Sequence, residues 1–180
     1  PYARPNRSGI LTHPAWLIAH SLNDSTDPIR RGKWIQEHLL AGTVPELPIT
    51  VDATVPEDHS KTLRERLAIT EQEYCWRCHQ KMNPLGYSFE VYDDFGRYRQ
   101  EETLDKLPKV DGEFVSRKVD ARASRHGAGQ PELDGPVEDA LDLIERLARS
   151  DRVRQSMIRH VFRFFMAVSY THLRAHETVM

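Results

Sequence analysis

Both cysteines of the 180-residue chain lie in one short stretch, Cys75-Trp76-Arg77-Cys78-His79. Cys-x-x-Cys-His is the pattern through which c-type haem is attached to proteins. On a helix, residues three and four positions apart lie on the same side, so Cys75, Cys78 and His79 would face one partner. The two thiols could form thioethers with the two vinyl groups of a haem, and the imidazole could bind the iron as proximal ligand. The motif therefore predicts covalently bound haem c, with His79 as the metal ligand.

Three other chemistries use closely spaced cysteines, and the sequence favours none of them. A structural zinc site needs four ligands in a tetrahedral set, whereas the chain has no second cysteine pair. A thioredoxin-like redox pair belongs to a βαβ context, which this sequence does not indicate. A disulfide across so short a loop would stabilise the chain little. A structural role for the cysteine pair is kept as an alternative.

The sequence does not identify the second axial ligand of the iron. Met82 follows His79 by only three residues, which places it on the proximal side, and packing is its expected role. Other side chains with suitable donor atoms are each expected to serve a helix surface or packing: His13, His20, His38, His160 and Met157. His20 and His38 belong to the part of the chain that should enclose the haem. A five-coordinate iron is also left open.

Residues after the motif are expected to surround the haem. The predicted lining, for which an ordinary core is the alternative, is Trp76, Leu85, Tyr87, Phe89, Tyr92 and Phe95. Arg97 and Arg99 could pair with the haem propionates, because a guanidinium fits a carboxylate through two parallel hydrogen bonds. A solvated turn is the alternative for these two arginines.

Helices are expected to position the motif. Thr62-Leu63-Arg64-Glu65 matches a capping box, which would begin a helix leading directly into Cys75. An earlier helix is expected between Asp27 as N-cap and Gly42. Asn83-Pro84-Leu85-Gly86 predicts a turn. Amphipathic periodicity predicts two further helices between residues 137 and 165.

Long stretches between these helices are expected to be irregular. Residues 43–58 are rich in proline, and residues 101–135 are polar, with room for one short hairpin. The fold class is therefore predicted as mainly α: a helical c-type-cytochrome-like haem domain with long irregular connections and a partial C-terminal helical domain.

Charge and hydropathy exclude several partners. A net charge of −2 argues against nucleic-acid binding, which usually needs a basic face. No apolar run is long enough for a membrane span. Gly127-Ala128-Gly129 follows no predicted strand, so a dinucleotide site is not expected. No catalytic residue is assigned.

Three blocks of the sequence resemble the planctomycete cytochrome c-associated proteins, whose domains are mostly of unknown function. The blocks are Arg7–Thr12, Asp27–Trp34 and the segment from Cys75 to Arg99. The resemblance implies an exported, multidomain, haem-carrying protein, and gene neighbourhoods rich in sulfatases imply polysaccharide as a possible partner of the parent protein. The segment 133–166 resembles the start of the domain that follows in those proteins.

The chain is accordingly divided into four parts. Residues 1–101 are expected to form the haem c attachment domain and 102–135 a linker. Residues 136–166 would be a truncated helical C-terminal domain. The tail 167–180 resembles translated sequencing-adapter sequence and is expected to be non-native.

One-electron transfer to an unidentified redox partner protein is the expected function. The alternatives are a part of an exported polysaccharide-degrading or oxidising enzyme, and a non-catalytic scaffold or binding module with a structural cysteine pair. Because bacterial haem c is attached outside the cytoplasm, the protein is expected to be periplasmic or otherwise exported. Its signal peptide would lie in a preceding part of a longer chain.

Overall fold

The fold combines short helices with two small antiparallel sheets. The computed structural model describes residues 5–46, 54–58, 60–104, 107–127 and 130–166. About 47% of the structure is helical and about 13% is strand or bridge, so the chain is mixed α/β and the prediction of a mainly α fold is wrong. The strands lie within or at the two ends of the region 102–135, which was predicted to be a linker with room for one hairpin. The predicted tail 167–180 lies outside the described residues.

The described part of the chain contains seven α-helices and four strands. The helices are α1 Pro14–Ala19, α2 Pro28–Trp34, α3 Leu63–Leu67, α4 Glu73–His79, α5 Asn83–Tyr87, α6 Ala140–Arg149 and α7 Asp151–Met166. The strands are β1 Glu101–Leu104, β2 Val115–Lys118, β3 Ala123–Arg125 and β4 Gly135–Val137. Short 3-10 turns cover Ile10–Thr12, Ala68–Glu71 and Pro131–Leu133, and a π-helical turn, Ile35–Leu39, extends α2. None of these helices is long and apolar enough to cross a membrane.

Each sheet consists of a single antiparallel pair. Glu101 of β1 lies opposite Lys118 of β2, and Ala123 of β3 lies opposite Val137 of β4. Three or four residues provide too few positions for an alternating apolar pattern to be recognised. The strands are also largely exposed, with one buried residue in β1 and none in β2. Their polar composition therefore resembled that of a loop.

Local capping signals determine where two helices begin. The Asp27 carboxylate accepts a hydrogen bond from the Arg30 amide at 2.8 Å, and Pro28 occupies the first turn of α2. The predicted capping box is present at α3: the Glu65 carboxylate accepts from the Thr62 amide at 2.7 Å, and the Thr62 hydroxyl accepts from the Glu65 amide. Such caps satisfy amide groups that have no partner within the helix.

The helix expected to run from Thr62 into the motif is interrupted. The α-helix ends at Leu67. A 3-10 turn follows over Ala68–Glu71, and Gln72 then adopts an extended conformation with ψ 147°. A new helix, α4, then begins at Glu73. The predicted turn at Asn83 is also different, because residues 83–87 form the helix α5.

Helices α2 and α5 approach each other through two glycines. A Cβ atom added at Gly32 would lie 2.0 Å from the Met82 carbonyl oxygen, and one at Gly86 would lie 1.8 Å from the Pro28 carbonyl oxygen. No side chain fits at either distance. Glycine at both positions therefore allows the backbone contact that holds α5, and with it the end of α4, against α2.

The main hydrophobic core joins residues that are far apart in the sequence. It contains Leu11, Trp16, Leu17, Ile35, Leu40, Leu85, Phe89, Tyr92, Leu133, Val137, Ala140, Leu143 and Leu147. A second cluster beneath α3 contains Leu63, Leu67 and Tyr87. Helix α7 lies at the periphery and leaves Phe164 and Phe165 exposed. The segment 133–147 thus shares one core with α1, α2 and α5.

Candidate functional site

Helix α4 contains the whole Cys-x-x-Cys-His motif. Its first turn is closed by a hydrogen bond from the Trp76 amide to the Gln72 carbonyl at 2.8 Å. None of its residues is fully buried, so the helix lies at the surface. Cys75, Cys78 and His79 are each partly exposed. Helical spacing places these three side chains on one side of α4.

The two thiols form no disulfide with each other. Cys75 and Cys78 are free cysteines of intermediate exposure. Tyr74, four residues before Cys78, is 57% exposed, and the Arg77 guanidinium lies 6.0 Å from the centroid of its ring.

His79 is held by the side chain of Asn83. The ring Nδ1 lies 2.9 Å from the Asn83 Oδ1 atom. The Met82 amide donates to the His79 carbonyl at 2.9 Å and closes the turn that joins α4 to α5. Because an amide oxygen only accepts hydrogen bonds, the imidazole donates from Nδ1. Its Nε2 atom has no hydrogen-bond partner within the described ranges, and that atom could therefore bind a metal.

Two buried hydroxyl groups fix the orientation of the Asn83 amide. Its Nδ2 group donates to Thr70 Oγ1 at 2.7 Å and to the Tyr87 hydroxyl at 3.1 Å. The Thr70 hydroxyl donates its own proton to the Leu67 carbonyl at 2.6 Å. Asn83 is fully buried. Burial raises the pKa of Tyr87 above its ordinary value, which keeps this hydroxyl protonated.

Asn83 and Thr70 were missed by the sequence-based reasoning. The available signal was the spacing of four residues between His79 and Asn83, which brings two side chains together wherever the chain remains helical. The predicted turn at Asn83 obscured that spacing. Thr70 is thirteen residues before Asn83, and the sequence carries no signal for this contact.

The residues predicted to line a haem are dispersed in the structure. Trp76 is partly buried within α4. Leu85, Phe89 and Tyr92 lie in the main core, where the Phe89 ring packs against Trp16 with 5.3 Å between centroids. Phe95 is 61% exposed. Tyr87 is linked to His79 through Asn83.

Arg97 and Arg99 are both paired with carboxylates of the chain. Arg97 Nε lies 2.7 Å from Asp93 Oδ2, and the Asp93 carboxylate also accepts from the Arg97 amide, forming a turn. Arg99 Nη2 lies 3.3 Å from Glu90 Oε2. Binding of a propionate by either arginine would therefore require competition with an existing ion pair.

Glu90 belongs to a buried ionic network with Arg31. Arg31 is fully buried, with its Nη1 atom 3.8 Å from Glu90 Oε1, and it donates to the carbonyls of Phe89 and Tyr92 at 3.1 Å each. Thr26 donates to Glu90 Oε2 at 2.9 Å. Burial raises the pKa of Glu90, and the charges of Arg31 and Arg99 oppose this shift.

Three histidines considered as second axial ligands, His20, His38 and His160, form a cluster with Trp16 and Trp34. His38 stacks on Trp34 with 4.9 Å between ring centroids, and His20 lies 4.9 Å from Trp16. His20 and His38 each use Nδ1 for the carbonyl four residues earlier, while His160 Nε2 contacts the His38 carbonyl at 2.9 Å. Burial lowers the pKa of His20.

None of the hydrogen bonds or ring contacts of this cluster reaches α4 within the described residues. His13 accepts from the Ala15 amide as a helix cap, Met82 is buried, and Met157 is 47% exposed. Within the described parts of the chain, no group of three or more His, Cys, Asp or Glu side chains could hold a metal ion.

The fold and the site together define a small mixed α/β module that presents a Cys-x-x-Cys-His helix at its surface. Residues 7–102, more than half of the chain, match the family PSCyt3, described as a protein of unknown function (DUF1588). The chain belongs to this family. No curated protein and no solved structure shows a significant match.

Proposed function

We propose that this chain binds haem c covalently through Cys75 and Cys78, uses His79 as the proximal iron ligand, and transfers single electrons. The proposal is supported by the position of these three side chains on α4 and by the bonds that they form. They lie on one side of a surface helix, the thiols form no disulfide, and among the described residues the His79 ring is hydrogen-bonded through Nδ1. The two sulfur atoms are therefore available for thioether bonds, and the Nε2 atom is available to bind iron.

The attachment chemistry requires no oxidant. Each thiol would add across one vinyl group, with a new carbon–sulfur bond to the carbon next to the ring and the proton transferred to the terminal carbon. The reaction needs free thiols, and Cys75 and Cys78 form no disulfide. Once bound, the haem supplies a one-electron couple between ferrous and ferric iron, and the surrounding residues adjust its potential through ligation, burial and hydrogen bonds.

The proposal includes export of the protein and an unidentified protein as redox partner. Neither follows from the fold. Export is argued from the cellular location of haem c attachment, and a partner protein from the need to supply and remove electrons. The proposal also includes polysaccharide as a partner of a longer parent protein.

Expression with a periplasmic signal, in a host that carries the c-type maturation system, tests the proposal. We expect a pyridine haemochrome spectrum and a haem stain that survives denaturing electrophoresis. The C75S/C78S double variant should lose both signals and remain folded. A colourless wild-type product from a host that matures a control cytochrome would overturn haem binding. Retained redox activity in the double variant would instead support a scaffold with a structural cysteine pair.

A further inference from the structure

The buried side-chain amide of Asn83 controls the imidazole of His79. We propose that Asn83 is the positioning residue of the proximal ligand and that its carbonyl group sets the reduction potential of the iron. This inference rests on the proposed haem binding and adds to it a residue that acts through His79. The contact that carries it is the 2.9 Å hydrogen bond between His79 Nδ1 and Asn83 Oδ1.

The direction of this hydrogen bond is determined by the groups behind Asn83. Thr70 gives its proton to the Leu67 carbonyl, so its oxygen is left to accept from Asn83 Nδ2. The Tyr87 hydroxyl accepts from the same Nδ2 group. With both of its amide protons directed at oxygen atoms, Asn83 presents its carbonyl to His79. A rotated amide would place Nδ2 against the ring and lose both of these bonds.

Burial makes the arrangement rigid. Asn83 is fully buried, and Thr70 and Tyr87 are 7% and 2% exposed. Hydrogen bonds in such surroundings are stronger than in water, and a polar group left without its partner is costly. The close contact of Gly86 with the Pro28 backbone holds α5, on which both Asn83 and Tyr87 lie. His79 itself stays partly exposed.

The chemical consequence concerns the ring nitrogen opposite Asn83. A donor bond at Nδ1 keeps the proton there and directs the lone pair of Nε2 to the metal. A stronger acceptor at Nδ1 draws its proton away, makes the imidazole more electron-rich and stabilises ferric iron. A missing acceptor has the opposite effect. Groups that hold a metal-binding histidine in this way commonly change metal affinity 10–100-fold when they are mutated.

Reduction potentials of the haem-loaded protein and two Asn83 variants test the inference. In N83D, a carboxylate of the same size accepts from His79 and from the Tyr87 hydroxyl, and from Thr70 once its hydroxyl turns away from the Leu67 carbonyl, so the potential should fall. In N83L the acceptor is absent, so the potential should rise. We expect each shift to change the equilibrium constant with a reference redox dye about tenfold, in opposite directions, which is about 59 mV for one electron.

The matched control is Q80L, which also replaces an amide by leucine beside His79. Gln80 is exposed and its side-chain amide donates to the Arg77 carbonyl, away from His79, so the potential should stay at the wild-type value. T70V removes one acceptor of the Asn83 amide and should shift the potential in the same direction as N83L. If N83L does not acquire haem, the potential of T70V tests the role of Asn83.

The possible failures are distinguishable. Equal potentials in wild type, N83D and T70V, all with haem attached, would overturn the role of Asn83 and leave haem binding in place. Absence of haem from the wild-type protein would overturn the proposed function itself. A merely structural role for Asn83 would lower stability in both variants without opposite changes in potential.

Discussion

The motif cysteines differ from the other residues predicted to contact haem, because the side chains of those other residues already have partners within the protein. Arg97 and Arg99 are paired with carboxylates, and Phe89 and Tyr92 lie in the core. The thiols of Cys75 and Cys78 form no disulfide and are partly exposed. The two thiols of α4 are therefore the side chains that can bond to a large external group such as haem.

Serine at one motif cysteine should leave a single thioether. We expect C75S and C78S each to bind haem with one vinyl group unreacted, which moves the α band of the pyridine haemochrome to longer wavelength. Because neither thiol is buried or disulfide-linked, the free energy of unfolding of the haem-free chain should change by less than about 0.5 kcal/mol. Identical wild-type and C75S spectra would contradict a bond at Cys75.

The buried ion pair of Arg31 and Glu90 predicts strongly non-additive mutations. R31M leaves Glu90 buried beside Arg99 alone and removes the hydrogen bonds to the Phe89 and Tyr92 carbonyls. We expect R31M to lower the free energy of unfolding by about 3–5 kcal/mol. R31M/E90Q should be more stable than R31M because it buries no unpaired charge. Denaturant unfolding of both variants measures this difference.

The same pair predicts a dependence of stability on pH. Burial raises the pKa of Glu90 and Arg31 opposes that shift, so R31M raises the pKa further. The folded state then binds a proton more tightly than the unfolded state. The resulting stability is present below the unfolded pKa of about 4.3 and is lost as pH rises through the folded value. R31M should therefore be less destabilised, relative to wild type, at pH 4 than at pH 7, and R31M/E90Q should not show this difference.

Local elements were predictable where the signal lies within a few neighbouring residues. The N-cap of α2 and the capping box of α3 are present as expected because each depends on contacts three residues apart. The placement of the motif on a helix has the same local origin. By contrast, β3 and β4 pair although nine residues separate them in the sequence, and the contact of Thr70 with Asn83 depends on how α3, α4 and α5 fold together.

The contact between α2 and α5 should tolerate no side chain. G32A and G86A each place a methyl group about one van der Waals radius from a carbonyl oxygen, at 2.0 and 1.8 Å. Relief requires separation of the two helices, and we expect each variant to lose about 1–3 kcal/mol of stability. Thermal unfolding measures the loss.

G112A provides the control for these variants. A Cβ atom at Gly112 would meet open space, although φ is +86°, so only the local backbone conformation is strained, by about 1–2 kcal/mol. Haem attachment should be normal in G112A and reduced in G86A, because displacement of α5 moves Asn83 away from His79. Unchanged attachment and stability in G86A would contradict the rigid contact.

At the scale of the whole molecule, the question is whether the first and last parts of the chain fold together. The predicted division at residues 101 and 135 treats α6 as part of another domain. The main core nevertheless contains Leu143 and Leu147 of α6 beside Trp16 and Leu40. Ser156 of α7 also donates to the His38 carbonyl at 2.8 Å. These contacts favour one cooperative unit over the described residues.

Tryptophan fluorescence can test this cooperation, because Trp16, Trp34 and Trp76 all precede residue 101. Leu143 is 1% exposed, and L143A should cost about 2–5 kcal/mol through lost burial and the cavity that remains. If the core is shared, the denaturant midpoint reported by the three tryptophans falls with this mutation. L22A makes the same change at a side chain that is 49% exposed, and its midpoint should stay close to wild type. A tryptophan transition unmoved by L143A would show that α6 folds separately, as the sequence-based division expects.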